Sequence, residues 1–276
     1  MIPSYYINLN RSEARRIYIE EMAASVGISI ERVEAVDGRM LSKTQLDAVR
    51  PSDTSARPMT ESEIACFLSH RKVWSLISEG VSPFVAVFED DIYMSKNLLH
   101  LLADIDWIKP NMDFIKLDKA TKKKVKLGPP EVIVGDLKVS KLLSPHMGFG
   151  GYIISKDCAT DLLKKTETFD GPIDITLFHT QSHPSKYLTL WQVNPAVCVH
   201  NQFHDLQFLP DEAEKSTLDT DRVSSIQKHR KIKKQKIGYK IRRELKRPFV
   251  QFFIWLSRVV SSLFSKEKWA NIEFRE

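Results

Sequence analysis

The densest concentration of reactive side chains in this sequence is the run Glu89-Asp90-Asp91. Three adjacent carboxylates repel one another and lose hydration when partly enclosed, so something cationic must offset them. They follow directly on Pro83-Phe84-Val85-Ala86-Val87-Phe88, a continuous apolar run of strand length that reads as a central buried strand. Carboxylates at the carboxyl end of such a strand lie where open α/β sheets bind their ligands. A hard divalent ion, Mn²⁺ or Mg²⁺, which favours carboxylates together with substrate phosphates, fits that position. A solvated acidic turn or a helix N-cap is the plainer alternative.

Ser69-His70-Arg71 suggests nucleophilic catalysis, but neighbouring residues on a helix point about 100° apart and cannot form the required hydrogen bond. A hydrolase triad is therefore rejected. His70 is either a structural hydrogen-bonding residue or, with Arg71, faces a diphosphate by charge complementarity. Gly148-Phe149-Gly150-Gly151 lacks the phosphate-loop form and precedes a strand instead of a helix, so it is not a P-loop. Cys66, Cys158 and Cys198 lack metal-ligand spacing and read as small buried hydrophobes in a reducing compartment.

The elements that must position these groups are legible from periodicity and punctuation. Ile2–Leu9 reads as a short buried strand, Glu13–Val26 as a helix stopped by Gly27, and Ile28–Ala35 as a second strand ending at Val36-Asp37-Gly38. This β-α-β opening builds a parallel sheet with helices on its faces. Residues 42–58 read as a polar excursion. Thr60 with Glu63 forms a capping box, which starts a helix running through Ile77 and ending at Gly80. Asn97–Ile108 reads as a helix, Phe114–Leu117 as a strand, and the lysine-rich 119–141 as a mobile loop or β-excursion. A strand through Ile154, a helix over Asp157–Lys165, a helix opening at Gly171-Pro172-Ile173-Asp174 and a strand over Leu188–Val199 complete the body.

Charge divides the 276 residues unevenly. The chain carries a formal +6, yet residues 228–276 hold 15 Lys/Arg against four Asp/Glu, a net of +11, leaving −5 on residues 1–227. The expected division is a catalytic domain over 1–227 and a basic, aromatic-rich tail over 228–276. Lys228–Arg247 is dense in Lys and Arg, and Phe249–Phe264 carries five aromatics but is interrupted by Gln251 and Arg258. That run is too short and polar for a comfortable membrane span. It fits a surface-lying anchor on anionic lipid through residues 228–264, with a charged helix packed on the body as the alternative. No recognition fold accompanies the basic run, so no nucleic-acid partner is expected. The first residues show no basic n-region or long apolar stretch, which suggests retention in the cytoplasm.

Taken together, six segments resemble glycosyltransferase family 25, which includes bacterial lipooligosaccharide galactosyltransferases. They are Tyr6-Ile7-Asn8-Leu9 with Arg15-Arg16, Val33–Gly38, Glu63–His70, Val87–Ile92, Gly150–Ser155 and Gly171-Pro172-Ile173-Asp174, the last with Ile where the family has Val. The resemblance covers about residues 2–205, and the order and spacing of the set make it specific. It implies a GT-A-like α/β fold, a Rossmann-type mixed sheet flanked by helices. It also implies inverting transfer of a hexose, commonly galactose in β-1,4 linkage, from a UDP-sugar to a lipooligosaccharide or lipopolysaccharide acceptor.

Carried over residue by residue, Asp91 is the principal metal ligand, with Glu89 or Asp90 touching the metal or the donor ribose. Asn8, Arg16 and Asp37 hold base and ribose, and Glu63 to His70 lies against the donor. His200 or His204 completes the metal shell, a choice their spacing does not make. Inverting transfer also needs a general base, for which Asp174 is preferred and Asp118 second, although Asp174 could serve only as a helix-dipole partner. Such an enzyme would work at the cytoplasmic face of the bacterial inner membrane as a peripheral protein. Two other classes stay open from the residues alone: a metal-dependent nucleotide-sugar hydrolase or nucleotidyltransferase, and a non-catalytic adaptor built around the tail.

Overall fold

The computed structural model describes residues 1–50, 59–120, 122–178, 188–200 and 267–276. In chain order the elements are β1 (Ser4–Asn8), α1 (Glu13–Ser25), β2 (Glu31–Glu34), α2 (Lys43–Ala48), α3 (Glu61–Glu79), β3 (Phe84–Glu89), β4 (Ile92–Met94), α4 (Leu98–Leu102), β5 (Phe114–Lys116) and β6 (Asp118–Lys119). They continue with β7 (Val125–Val134), β8 (Leu137–Leu142), β9 (Gly151–Ser155), α5 (Lys156–Lys165), α6 (Ile173–Phe178), β10 (Leu190–Asn194), β11 (Cys198–His200) and β12 (Lys268–Ala270). A mixed sheet runs β12-β7-β8-β10-β5-β9-β3-β1-β2, and a smaller one runs β4-β11-β6. The mixed α/β architecture with flanking helices is the GT-A-like arrangement the sequence implies.

Strands β2, β1 and β3 are parallel, with Ile7 beside Glu89 and Asn8 beside Glu34, so their carboxyl ends share one edge. Alternate residues of β3 point to opposite faces. Val85 and Val87 join the core formed with α3, α5 and α6, including Phe67, Trp74, Leu162 and Phe178. Ala86 and Phe88 join the core under α1 and α4, with Ile19, Ala23 and Leu101. Burial on both faces explains the unbroken apolar run of this strand. Glu89, the last residue of the strand and only half-buried, falls at the point where the strand leaves the core.

Helix α3 begins as the capping box implies: Thr60 Oγ1 accepts from the Glu63 backbone N–H and the Glu63 carboxylate accepts from the Thr60 N–H. A second capping box, Ser42 with Gln45, starts α2 inside the expected polar excursion. Other expectations change. The helix expected to reach Ile108 stops at Leu102, because the Asp104 carboxylate accepts from the Asp106 N–H and the Trp107 indole donates to the Leu101 carbonyl. Both bonds take backbone groups away from the helical ladder.

The lysine-rich segment is a β-excursion, the β7–β8 hairpin, whose turn places Gly135 at φ 56°. Pro195 interrupts the expected single strand over Leu188–Val199, because proline has no N–H to give to a ladder. The chain there passes from the large sheet as β10 to the small one as β11. Of the expected tail, residues 228–264 lie outside the described residues. At 267–276, β12 pairs with β7 and Ile272 is buried in the core. Among the described residues no helix is long and apolar enough to cross a membrane.

Removing the α3 cap tests how far this helix depends on its first turn. Thr60→Ala should cost about 1 kcal/mol, read as a fall in melting temperature of roughly 2–4 °C for a chain of this size. An unchanged melting curve would show that packing alone sets the start of α3.

Candidate active site

A cleft of about 630 Å³ opens at the carboxyl ends of β2, β1 and β3 and is closed on one side by α3. Its floor is apolar, from Ile7, Leu9, Ala35 and Val36, and its walls carry Arg11, Arg15, Asp37, Arg39, Cys66, Ser69 and His70. Glu89, Asp90 and Asp91 stand at its end. An apolar slot lined by cations and ending in carboxylates suits a planar base joined to a phosphate chain.

The acidic triplet is built from three different supports. Asp90 is buried, and its Oδ2 accepts from the Asn8 side-chain amide at 2.7 Å while its Oδ1 meets the Arg15 guanidinium at 3.1 Å. Arg32 Nε in turn donates to Asn8 Oδ1 at 3.1 Å, which fixes the amide's orientation. Burial first, then the adjacent Asp91 charge, push Asp90 up to about 6 against the pull of Arg15 and Asn8. For Asp91, burial works upward but is outweighed by His200 and Arg15, so its carboxylate is held below the usual range. Arg15 also reaches Asp91 Oδ2 at 3.4 Å.

His200, at the end of β11, brings Nδ1 to 3.4 Å from Asp91 Oδ1 and Nε2 to 3.7 Å from Glu89 Oε2. Burial pulls the imidazole down, but Asp91, Glu89 and Asp118 outweigh it and push it up to about 9. Glu89, Asp91 and His200 each offer one ligand atom, all within 4.8 Å of one another. Asp91 Oδ1 and His200 Nε2 are enclosed yet make no hydrogen bond of good geometry. Two carboxylates and an imidazole converging on unsatisfied buried atoms are a fitting donor set for a divalent ion.

The glycines near this site serve clearance. A Cβ on Gly150 would lie 2.4 Å from His200 Nε2 and 2.8 Å from Ile92 Cγ2, so only glycine lets the ring reach the carboxylates. Gly148 stands at φ 99°, where a side chain would also collide with Ala120. Behind His200, the fully buried Asp118 pairs with the equally buried Lys116 at 2.9 Å and accepts from the Gly150 N–H at 3.3 Å. Burial raises the Asp118 pKa, and Lys116 with the nearby histidines more than reverses it. An enclosed carboxylate so held orients His200 from behind and has no path to an acceptor hydroxyl.

The other expected residues are distributed as follows. Asp37 lines the cleft, pairs with Arg11 at 3.1 Å and caps the short turn at Gly38–Met40. His70 lines it too, with Nδ1 3.0 Å from the Tyr152 hydroxyl and Nε2 3.5 Å from Glu89 Oε1. The Trp74 indole N–H can only donate, so the Tyr152 oxygen accepts from it at 3.0 Å and keeps both a proton and a lone pair for His70. Arg16 instead pairs with Glu13 on the exposed side of α1, and the basic residue that enters the site is Arg15. Glu63 is spent on the α3 cap while Glu61 and Ser62 line the cleft.

Asn8 acts through Asp90, and Arg71 caps the end of α5 through the Leu163 carbonyl at 2.8 Å and Thr166 Oγ1 at 2.6 Å. Asp174 sits half-buried in the first turn of α6, and its charge, after burial and Glu89, helps hold the Cys66 thiol well above its ordinary range. His204 lies outside the described residues. Arg15 was within reach of the sequence: Arg15, Ile19 and Ala23 fall at i, i+4 and i+8 on one stripe of α1, and the latter two are buried. Lys116, the last residue of β5, and His146, which lies 2.8 Å from the Gln192 side chain and helps hold Asp118 ionised, gave no such signal.

The chain is similar to several known proteins. The family described as glycosyltransferase family 25 (LPS biosynthesis protein) matches residues 1–177, which contain the β1, β3 and α3 walls of the cleft. The chain is 28% identical over 255 residues to a putative glycosyltransferase of Haemophilus influenzae, covering 91% of this chain and 86% of that one. It is 28% identical to the lacto-N-neotetraose biosynthesis glycosyltransferase LgtE of Neisseria meningitidis, covering 83% and 85% respectively. Procollagen galactosyltransferase 1-A of Xenopus laevis is 31% identical over 170 residues, 58% of this chain and 27% of that protein.

The raised His200 pKa has a consequence with a fixed sign. Its native value, about 9, lies above the ordinary 6.5, so the native state holds the extra proton between the two. The stabilisation is fully present below about 6.5 and is lost as pH rises through about 9. In chelator, the melting temperature of the wild type should fall more steeply from pH 7 to 9.5 than that of His200→Gln. Parallel slopes would mean that His200 is neutral in the metal-free protein.

Proposed function

The chain belongs to glycosyltransferase family 25, and from that premise we propose that it transfers a hexose, galactose by preference, from a UDP-sugar to a lipooligosaccharide acceptor with inversion. The observation that carries this reading is the convergence of Glu89, Asp91 and His200 at the end of a cleft with an apolar floor and arginine-lined walls. Galactose is favoured over glucose by the procollagen galactosyltransferase relative. The lipid-linked acceptor is favoured by the family description, which names LPS biosynthesis.

In this reading the uracil and ribose occupy the slot over Ile7 and Val36, with Asp37 at the ribose. Arg11 and Arg39 face the phosphates. Glu89, Asp91 and His200 would hold Mn²⁺ or Mg²⁺, which, when bound, neutralises the diphosphate as it departs. Arg15 keeps Asp90 and Asp91 in place and offsets their charge before the donor arrives. His200 must give up its proton to become a ligand, so donor loading is favoured by rising pH. Asp174, near enough to Cys66 for its charge to act on that thiol, would take the proton of the acceptor hydroxyl as that oxygen attacks the anomeric carbon from the face opposite UDP.

The basic segment 228–264, outside the described residues, would hold the enzyme on anionic lipid at the cytoplasmic face of the inner membrane, where lipid-linked acceptors are assembled. Each basic residue near such a surface contributes about 1 kcal/mol.

Two variants separate the proposed roles. Asp91→Asn should lower turnover of UDP-galactose by at least about 100-fold and abolish the thermal stabilisation that UDP gains from Mn²⁺. Asp174→Asn should lower kcat by about 100-fold or more while leaving UDP affinity unchanged. Wild-type turnover in the first variant would refute the metal assignment, and loss of donor affinity alone in the second would refute the base. For the anchor, replacing the lysines and arginines of 228–247 with glutamine should release the protein from anionic vesicles at low salt without slowing transfer to a soluble sugar. Unchanged co-sedimentation would remove the anchor from the account.

A further inference from the structure

A second group of ligand-type side chains stands in the same cleft, and two of its three members have no part in the reaction described above. Cys66, His70 and Glu89 each present one ligand atom, and the three atoms lie within 4.8 Å of one another. Cys66 and His70 are four residues apart on α3, hence on one face of the helix. Glu89 divides its carboxylate between two neighbours, with Oε1 3.5 Å from His70 Nε2 and Oε2 3.7 Å from His200 Nε2.

We propose that Cys66, His70 and Glu89 form a second cation site, suited to a thiophilic divalent ion of the zinc class, that shares Glu89 with the Asp91–His200 site. A thiolate, an imidazole and a carboxylate make a three-ligand set with one position left for solvent or ligand, which is the usual form of an open zinc site. Cys66, a neutral thiol in the metal-free protein, releases its proton to solvent as the ion binds, and the resulting thiolate and the carboxylate together offset the divalent charge. Tetrahedral coordination at ordinary bond lengths separates ligand atoms by about 3.4–3.8 Å, so the three groups need to close by about an ångström at most.

The imidazole is already held by its far nitrogen. Tyr152 lies 3.0 Å from Nδ1 and has a lone pair to accept that N–H, a tautomer that leaves Nε2 free to bind the ion. The two sites differ in softness. Sulfur selects zinc-like ions at Cys66, whereas carboxylates dominate at Asp91, where harder ions are favoured. Because Cys66 and His70 line the cleft, an ion held there narrows the slot and engages Glu89.

Cobalt(II), which substitutes for zinc and absorbs in the near ultraviolet when a thiolate binds it, gives a readout independent of turnover. The reduced full-length protein titrated with Co²⁺ should develop this band, and Zn²⁺ should displace it. Cys66→Ser should abolish the band, His70→Gln should weaken cobalt affinity at least about tenfold, and Asp91→Asn should retain it. The proposal is overturned if the wild type shows no band, if Cys66→Ser keeps it, if His70→Gln binds cobalt unchanged, or if Asp91→Asn loses it. Since none of these measurements involves sugar transfer, their failure leaves the transferase reading standing, and failure of that reading leaves them interpretable.

Discussion

The mutual repulsion of carboxylates at the end of β3 is the constraint that organises this protein. Glu89, Asp90 and Asp91 are consecutive, Asp90 is buried, and Asp118 stands fully enclosed just behind His200. Such a group cannot stay ionised without positive charge close by. The chain supplies Arg15 from α1, Lys116 from β5 and His200 from β11, three elements distant in sequence. Each cation is itself partly or wholly buried, so removing any one of them leaves an uncompensated charge instead of an exposed one. In the proposed reaction, Arg15 and protonated His200 would occupy the role that a divalent ion takes over when a donor binds.

Much of the surrounding architecture serves that arrangement. The parallel trio β2, β1 and β3 brings Asn8 beside the acidic turn, and Arg32 from β2 orients its amide. Gly150 clears space for the His200 ring, and Gly148 lets the preceding backbone turn past Ala120. On the opposite wall, Trp74 and Tyr152 hold His70 from the core, so α3 presents a fixed imidazole to the cleft. The Arg71 contact with the end of α5 ties the same helix to its neighbour on that face of the sheet. A site on strand ends and a capped helix is stiffer than one on loops, which suits a reaction that depends on alignment.

Sequence made the frame readable and left the pairings hidden. The apolar run of β3, the α3 capping box and the β-α-β opening are local signals, and each is present where expected. The acidic triplet could be assigned to a strand end because strand polarity follows from the parallel order. Partner choice, by contrast, is set by three-dimensional proximity. Arg15 and Arg16 are neighbours of one type, and only the buried stripe of α1 decides which turns inward. Glu63 could be read equally as a donor contact or a cap, and the first turn of α3 claimed it. Asp118 looked like a free carboxylate at a strand end because nothing local announces that Lys116, two residues earlier, is buried with it. The glycine run likewise made sense only once His200 was seen against Gly150.

The central claim is that the acidic end of β3 holds a divalent ion under a nucleoside diphosphate. Anomalous diffraction from crystals soaked with UDP and Mn²⁺ addresses it directly. A manganese peak should lie within bonding distance of Asp91 and His200, with the diphosphate on its open side and the uracil over Val36. A peak elsewhere, or a UDP molecule bound with Arg15 and His200 still closed on empty carboxylates, would contradict it.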